Sequence, residues 1–155
     1  MKLVDLTGIL VDSLRGTIPT PHASGNWIYS DYPRMDATFP RISVTQISGS
    51  LGEIGIGQWT EGKKGKLCTI DYDIDVWVKI EDRVVLDTLT YVGTKLRDKY
   101  TDLIIQALED LQETLKTSFG ILDVEFENIS SHTLDEEHML HRKTITIRLT
   151  FEWEL

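Results

Sequence analysis

The sequence predicts an α+β fold, a two-layer sandwich in which two helices pack on one face of a largely antiparallel four-stranded sheet. Three patterns predict it. Leucines recur at helical spacing near the start and again after Thr94, and apolar and polar residues alternate strictly over 67–80 and over 144–155. The apolar strand faces need a cover, and two amphipathic helices supply one, giving the order helix, strand, strand, helix, strand, strand.

Leu3, Leu6, Leu10 and Leu14 form one stripe with Val4 and Val11 beside it, predicting a helix over 3–15 that Gly16 and Pro19 stop. Gly8 inside it costs up to about 1 kcal/mol relative to alanine. Residues 16–40 hold all four prolines plus Trp27, Tyr29, Tyr32 and Phe39 without a period, and read as an irregular interaction loop. Ile42 and Val44 alternate with Ser43 and Thr45, predicting a strand over 41–47. Six glycines between Gly49 and Gly65 make 48–66 a Gly-rich hairpin arm.

In the strand over 67–80, Cys68, Ile70, Tyr72, Ile74, Val76, Val78 and Ile80 face inward, opposite Thr69, Asp71, Asp73, Asp75 and Lys79. Thr94 is the expected N-cap of a helix that runs to about Lys116, roughly 30 Å long at 1.5 Å per residue, and Gly120 closes it. Leu122, Val124 and Phe126 predict a strand over 122–128 with Asp123, Glu125 and Glu127 on its other face. The last strand sets Ile145, Ile147, Leu149, Phe151, Trp153 and Leu155 against Thr144, Thr146, Arg148, Thr150, Glu152 and Glu154. Like charges opposite one another on adjacent strands are destabilising, so 143–154 is expected between 67–80 and 122–128.

At 155 residues the chain suits one domain, and its single cysteine, Cys68, excludes an internal disulfide and a Cys-rich zinc site. No apolar run is long enough for a transmembrane helix, and the charged start argues against a secretory signal, so a reducing cytoplasm is the expected setting. Net charge is −9, and the stretch from Asp102 to Glu137 carries ten acids against the lone base Lys116. Such a surface repels nucleic-acid phosphates.

The chemical motifs thin out when weighed. Gly57 to Lys64 nearly spells a P-loop, but Lys64 stands where a magnesium-binding Ser or Thr belongs and a strand follows instead of a helix. Asp71, Asp73 and Asp75 project from one strand face about 7 Å apart, a ladder that a metal-dependent nuclease could use to hold Mg²⁺. Its plainer reading is a polar outer face. His132, His138 and His141 near Asp135, Glu136 and Glu137 match no zincin spacing and read as a turn. No nucleophile elbow or triad assembles, so no enzyme, cofactor or metal is expected.

Contact surface remains. Trp77 sits on the polar face of its strand, Ile54, Ile56 and Trp59 are spare apolar residues in the glycine-rich segment, and Trp27, Tyr29, Tyr32 and Phe39 lie in the loop. All eight are candidate protein-interface residues, the alternative for the loop being that it folds back and buries its aromatics.

Phe39-Pro40-Arg41-Ile42-Ser43-Val44, the strand Asp71–Lys79, the helix opening Gly93-Thr94-Lys95-Leu96-Arg97-Asp98 and the closing strand together resemble tail-terminator, or tail-completion, proteins of long-tailed bacterial and archaeal viruses. The resemblance covers roughly 39–155. It implies a virion protein assembled in the host cytoplasm, whose copies form a ring, usually a hexamer, on the head-proximal end of the tail tube. Its implied partners are other copies of itself, the tail tube protein and a head-side neck or connector protein. DNA would pass through without specific binding, Asp71, Asp73 and Asp75 facing the channel. A neighbouring neck or head-completion protein, a nuclease using the aspartates and a cellular adaptor stay as alternatives.

Overall fold

The alternation read in 67–80 builds the central strand, β3 (Gly65–Lys79), whose Cys68, Ile70, Tyr72, Ile74, Val76 and Val78 are all buried. The computed structural model describes residues 3–34, 37–53 and 65–154. Among them the chain is mixed α+β, with two helices, a mostly antiparallel sheet of five strands and a separate two-stranded sheet.

Helix α1 (Leu3–Thr17) continues through Gly16 and stops short of Pro19, burying Leu6, Leu10, Val11 and Leu14. Helix α2 (Thr94–Phe119) buries Leu96, Tyr100, Ile104, Ala107, Leu108 and Leu115. These stripes and the inner sheet face form one continuous core. Burying each such aliphatic side chain contributes about 1.5–3 kcal/mol, which explains why both stripes turn toward the sheet.

β3 pairs antiparallel with β2 (Arg41–Glu53) on one side and with β7 (Leu140–Glu154) on the other. β6 (Ile121–Ser131) pairs with the far side of β7. The order β2-β3-β7-β6 is the one that charge repulsion predicts, with β7 between the two acid-bearing strands.

The four-stranded expectation falls short by one strand and a hairpin. β1 (Ile28–Tyr29) pairs in parallel with Ile42 and Ser43 of β2, at the edge of the main sheet. It lies inside 16–40, so that segment is built into the fold. The separate sheet is a hairpin of β4 (Arg83–Leu86) and β5 (Leu89–Val92), turning through positive φ at Asp87 (50°) and Thr88 (70°). Strands of two and four residues are too short to show a period, which is why neither was legible.

Three local expectations are corrected. Ile80, expected on the inward face of its strand, lies one residue past the end of β3 and is 37% exposed. Thr94 is the first residue of α2, not its cap; Gly93 caps at φ 57° with no side-chain hydrogen bond, where a Cβ would stand 3.2 Å from the Ile80 carbonyl oxygen. Leu122 is not inward: the register of β6 on β7 shifts between Ile121 and Asp123, so Ile121 is buried and Leu122 is 49% exposed. A bulge re-aims side chains in this way. Gly120 closes α2 in the left-handed conformation at φ 71°, as its position suggested. Of the 48–66 arm, β2 and β3 supply both flanks down to Glu53 and Lys66, and 54–64 lie outside the described residues.

Trp27 is 3% exposed and its ring lies 4.8 Å from that of Tyr100. Trp27→Ala is therefore expected to cost about 3–5 kcal/mol in a denaturant titration. A loss below about 1 kcal/mol, the usual cost of a surface change, would contradict a core role.

Candidate protein-interaction site

The outer face of the sheet carries the polar half of each strand's alternation. On it Asp71, Asp73 and Asp75 stand in a column, and β7 supplies their partners row by row. Arg148 donates from Nε to Asp71 Oδ1 at 2.9 Å and also pairs with Glu127 at 2.9 Å. Ser48 donates to the other Asp71 oxygen at 3.2 Å. Thr146 donates to Asp73 at 2.7 Å. Asp75 is fully buried, taking Arg142 Nε at 2.8 Å and the Thr144 hydroxyl on the same oxygen, while its Oδ2 has no partner. Thr144, having given its proton to Asp75, accepts from His132 Nε2 at 2.7 Å.

These contacts change the reading of the ladder. Asp75 cannot line a channel, because its carboxylate lies beneath neighbouring side chains, and Asp71 and Asp73 are held by partners that a metal would have to displace. Among the described residues no group of three or more His, Cys, Asp or Glu side chains is arranged to hold a metal ion. The histidines occupy the β6–β7 connection and its flanks, where His138 Nδ1 contacts Asp135 at 2.9 Å. Cys68 is buried and its thiol is pushed up by that burial, as befits a packed side chain.

The interface candidates separate into three groups. Trp27 and Phe39 are 3% and 8% exposed, so neither offers surface: Trp27 folds back into the core, and Phe39 lies buried with Lys79 Nζ 5.5 Å from its ring centre. Ile54, Ile56 and Trp59, with the P-loop-like Gly57–Lys64, lie outside the described residues. Tyr29, Tyr32 and Trp77 come together at one end of the outer face.

What joins them is arginine. Arg41, Trp77 and Arg142 are direct cross-strand neighbours on β2, β3 and β7, so the tryptophan that sequence sets among aspartates stands in a row between two arginines. The Arg142 guanidinium lies 4.7 Å from the Trp77 ring centre and 5.4 Å from that of Tyr32. Tyr32 meets Trp77 edge-on at 6.0 Å. Tyr29 is flanked by Arg41 at 4.4 Å and Arg15 at 5.5 Å. Each cation–π contact adds about 0.5–1 kcal/mol at a half-exposed site and holds the side chains in place. Trp77 is fixed further by its indole N–H, which donates to Ser43 Oγ at 2.9 Å.

Beside this row Tyr29, Asp31, Tyr32, Arg34, Ala37 and Arg41 line an open cleft. Arg41 Nε is buried with no hydrogen-bond partner, and Tyr32 is 51% exposed. Trp, Tyr and Arg are the residues that dominate binding energy at protein interfaces. Sequence reasoning found the aromatics and missed the arginines, because only strand register reveals who sits beside Trp77. Extending the alternation of the last strand back two residues from Thr144 would have put Arg142 on the same face.

Compared with known proteins, the chain matches no protein family and none of the curated sequences.

The hydrogen bonds from Arg148 hold the Asp71 carboxyl below the usual carboxylate range. Its folded value lies under its unfolded one, so the stability it contributes is complete above the unfolded value and is lost as pH falls through the folded one. Arg148→Gln removes the cause. Its stability measured from pH 5 to pH 2 is expected to fall less steeply than that of the unaltered protein, and an identical slope would contradict the pairing.

Proposed function

We propose that this protein is a virion structural subunit without catalytic activity: a ring-forming tail terminator. Its copies close a ring, in the hexameric form, on the head-proximal end of the tail tube, stop tube growth and offer a surface to a head-side neck or connector protein. DNA passes through without specific binding, and assembly takes place in the host cytoplasm. The observation that carries this reading is the Arg41–Trp77–Arg142 row with Tyr29 and Tyr32, a surface of interface composition at the end of a polar sheet face. The element order supports it too, since the segments resembling the family's form β2, β3, the start of α2 and β7.

The nuclease alternative loses support, because Asp71, Asp73 and Asp75 are engaged by Arg148, Thr146, Arg142 and Thr144. A second reading, a neighbouring neck or head-completion protein, is favoured by the 16–40 segment, which supplies a strand and two surface tyrosines. No helix among the described residues is long and apolar enough to cross a membrane.

The purified protein is expected to run as a multi-chain particle by light scattering and to show rings by negative-stain microscopy. Added to polymerising tube protein of the same virus, it is expected to halt elongation. One chain per particle at every concentration, with tubes growing unaffected, would overturn the proposal.

A further inference from the structure

Two unlike surfaces occupy opposite edges of the main sheet. At the β1–β2 edge lies the cleft of Tyr29, Asp31, Tyr32, Arg34 and Arg41, two arginines against one aspartate. Among the described residues no acid lies within ion-pair distance of Arg34 or Arg41. At the β6 edge, the second half of α2 lies against the start of β6 across a cleft lined by Gln112, Glu113, Lys116, Leu122 and Asp123. The β6 bulge turns Leu122 outward there, 49% exposed, with Phe119 nearby in sequence at 40%. Glu109, Asp110 and Glu113 are exposed on the same helix, and none of them, nor Asp123, is paired with a described cation. One edge is thus basic and aromatic, the other acidic with an apolar centre.

We infer that these surfaces are the two halves of one subunit contact: the arginine–aromatic cleft of one copy seats on the Glu113–Leu122–Asp123 surface of the next. Charge complementarity selects the partner, since the chain carries −9 overall and its acids concentrate on the edge that the basic cleft lacks. The same net charge opposes nucleic acid as the occupant. Five strands about 4.8 Å apart separate the edges by roughly 19 Å, so the surfaces cannot meet within one subunit. A contact between unlike surfaces is heterologous, the kind that builds a ring when its rotation closes and a filament when it does not. The inference rests on the ring reading and names the contact that builds it.

The test uses two full-chain variants with reversed exposed charges, Arg34→Glu on the cleft and Glu113→Lys with Asp123→Lys on the acidic edge, each checked for an unchanged far-ultraviolet circular dichroism spectrum. Each variant alone is expected to need about tenfold or more higher concentration to assemble than the unaltered protein, like charges now facing each other. Mixed in equal amounts, the variants are expected to regain full mass by light scattering, because every contact in an alternating ring is again of opposite sign. Tyr32→Ala, which changes no charge, is expected to weaken assembly as well. If the unaltered protein forms rings and both variants assemble like it, this contact is wrong and the ring stands. If the unaltered protein stays a single chain, the ring reading fails and the contact with it. Binding of a single-stranded DNA oligonucleotide that Arg34→Glu abolishes would assign the cleft to nucleic acid and overturn the inference.

Discussion

Three carboxylates on the outer face of β3 restrict which strands can lie beside it. A second acidic strand at about 5 Å would add a repulsion at each row, so β6 is kept one strand away. β7 meets the demand with a matched column: Arg142 beside Trp77, Thr144 beside Asp75, Thr146 beside Asp73 and Arg148 beside Asp71. The pairing runs the length of both strands, from Gly65–Glu154 to Lys79–Leu140. Once β3 and β7 are joined, β2 and β6 are displaced to the flanks. The row of Arg41, Trp77 and Arg142 exists because of that order.

Asp75 is the costliest member of this arrangement. A carboxylate with no solvent exposure and one unpartnered oxygen carries a large desolvation penalty, offset by Arg142, Thr144 and, through Thr144, His132. Arg142 is only partly covered and spends its other face on the rings of Trp77 and Tyr32. One guanidinium therefore ties the buried carboxylate to the aromatic surface. Stability and contact chemistry share a residue, so the site is preorganised by the same ion pair that sets the strands.

Much of this was legible in the sequence. Period two in 67–80 and in the closing strand gave two long strands whose inward faces hold from Cys68 to Val78 and from Ile145 to Phe151, and period 3.6 gave both helices. Repulsion between the acids of 67–80 and those of 122–128 placed the closing strand between them, as it lies. What escaped had physical causes. β1 spends two residues on one parallel pairing, and the β4–β5 hairpin turns through Asp87 and Thr88 rather than an Asn-Gly signal. The Leu122 bulge breaks alternation without a glycine to announce it. At the site, the sequence singled out Tyr29, Tyr32 and Trp77, but Trp27 and Phe39 looked identical to them in type and are buried. Arg41 and Arg142 are neighbours of Trp77 only through register, which no local pattern encodes.

Charge matching between β3 and β7 organises the outer face, with Asp75 and Arg142 as its tightest link. A double-mutant cycle with Asp75→Asn, Arg142→Met and the two together, read by denaturant unfolding, measures that link. Strong non-additivity is expected, a coupling of about 1–3 kcal/mol, because either single change strands a buried polar group. Effects that add to within about 0.5 kcal/mol, the behaviour of independent sites, would contradict it.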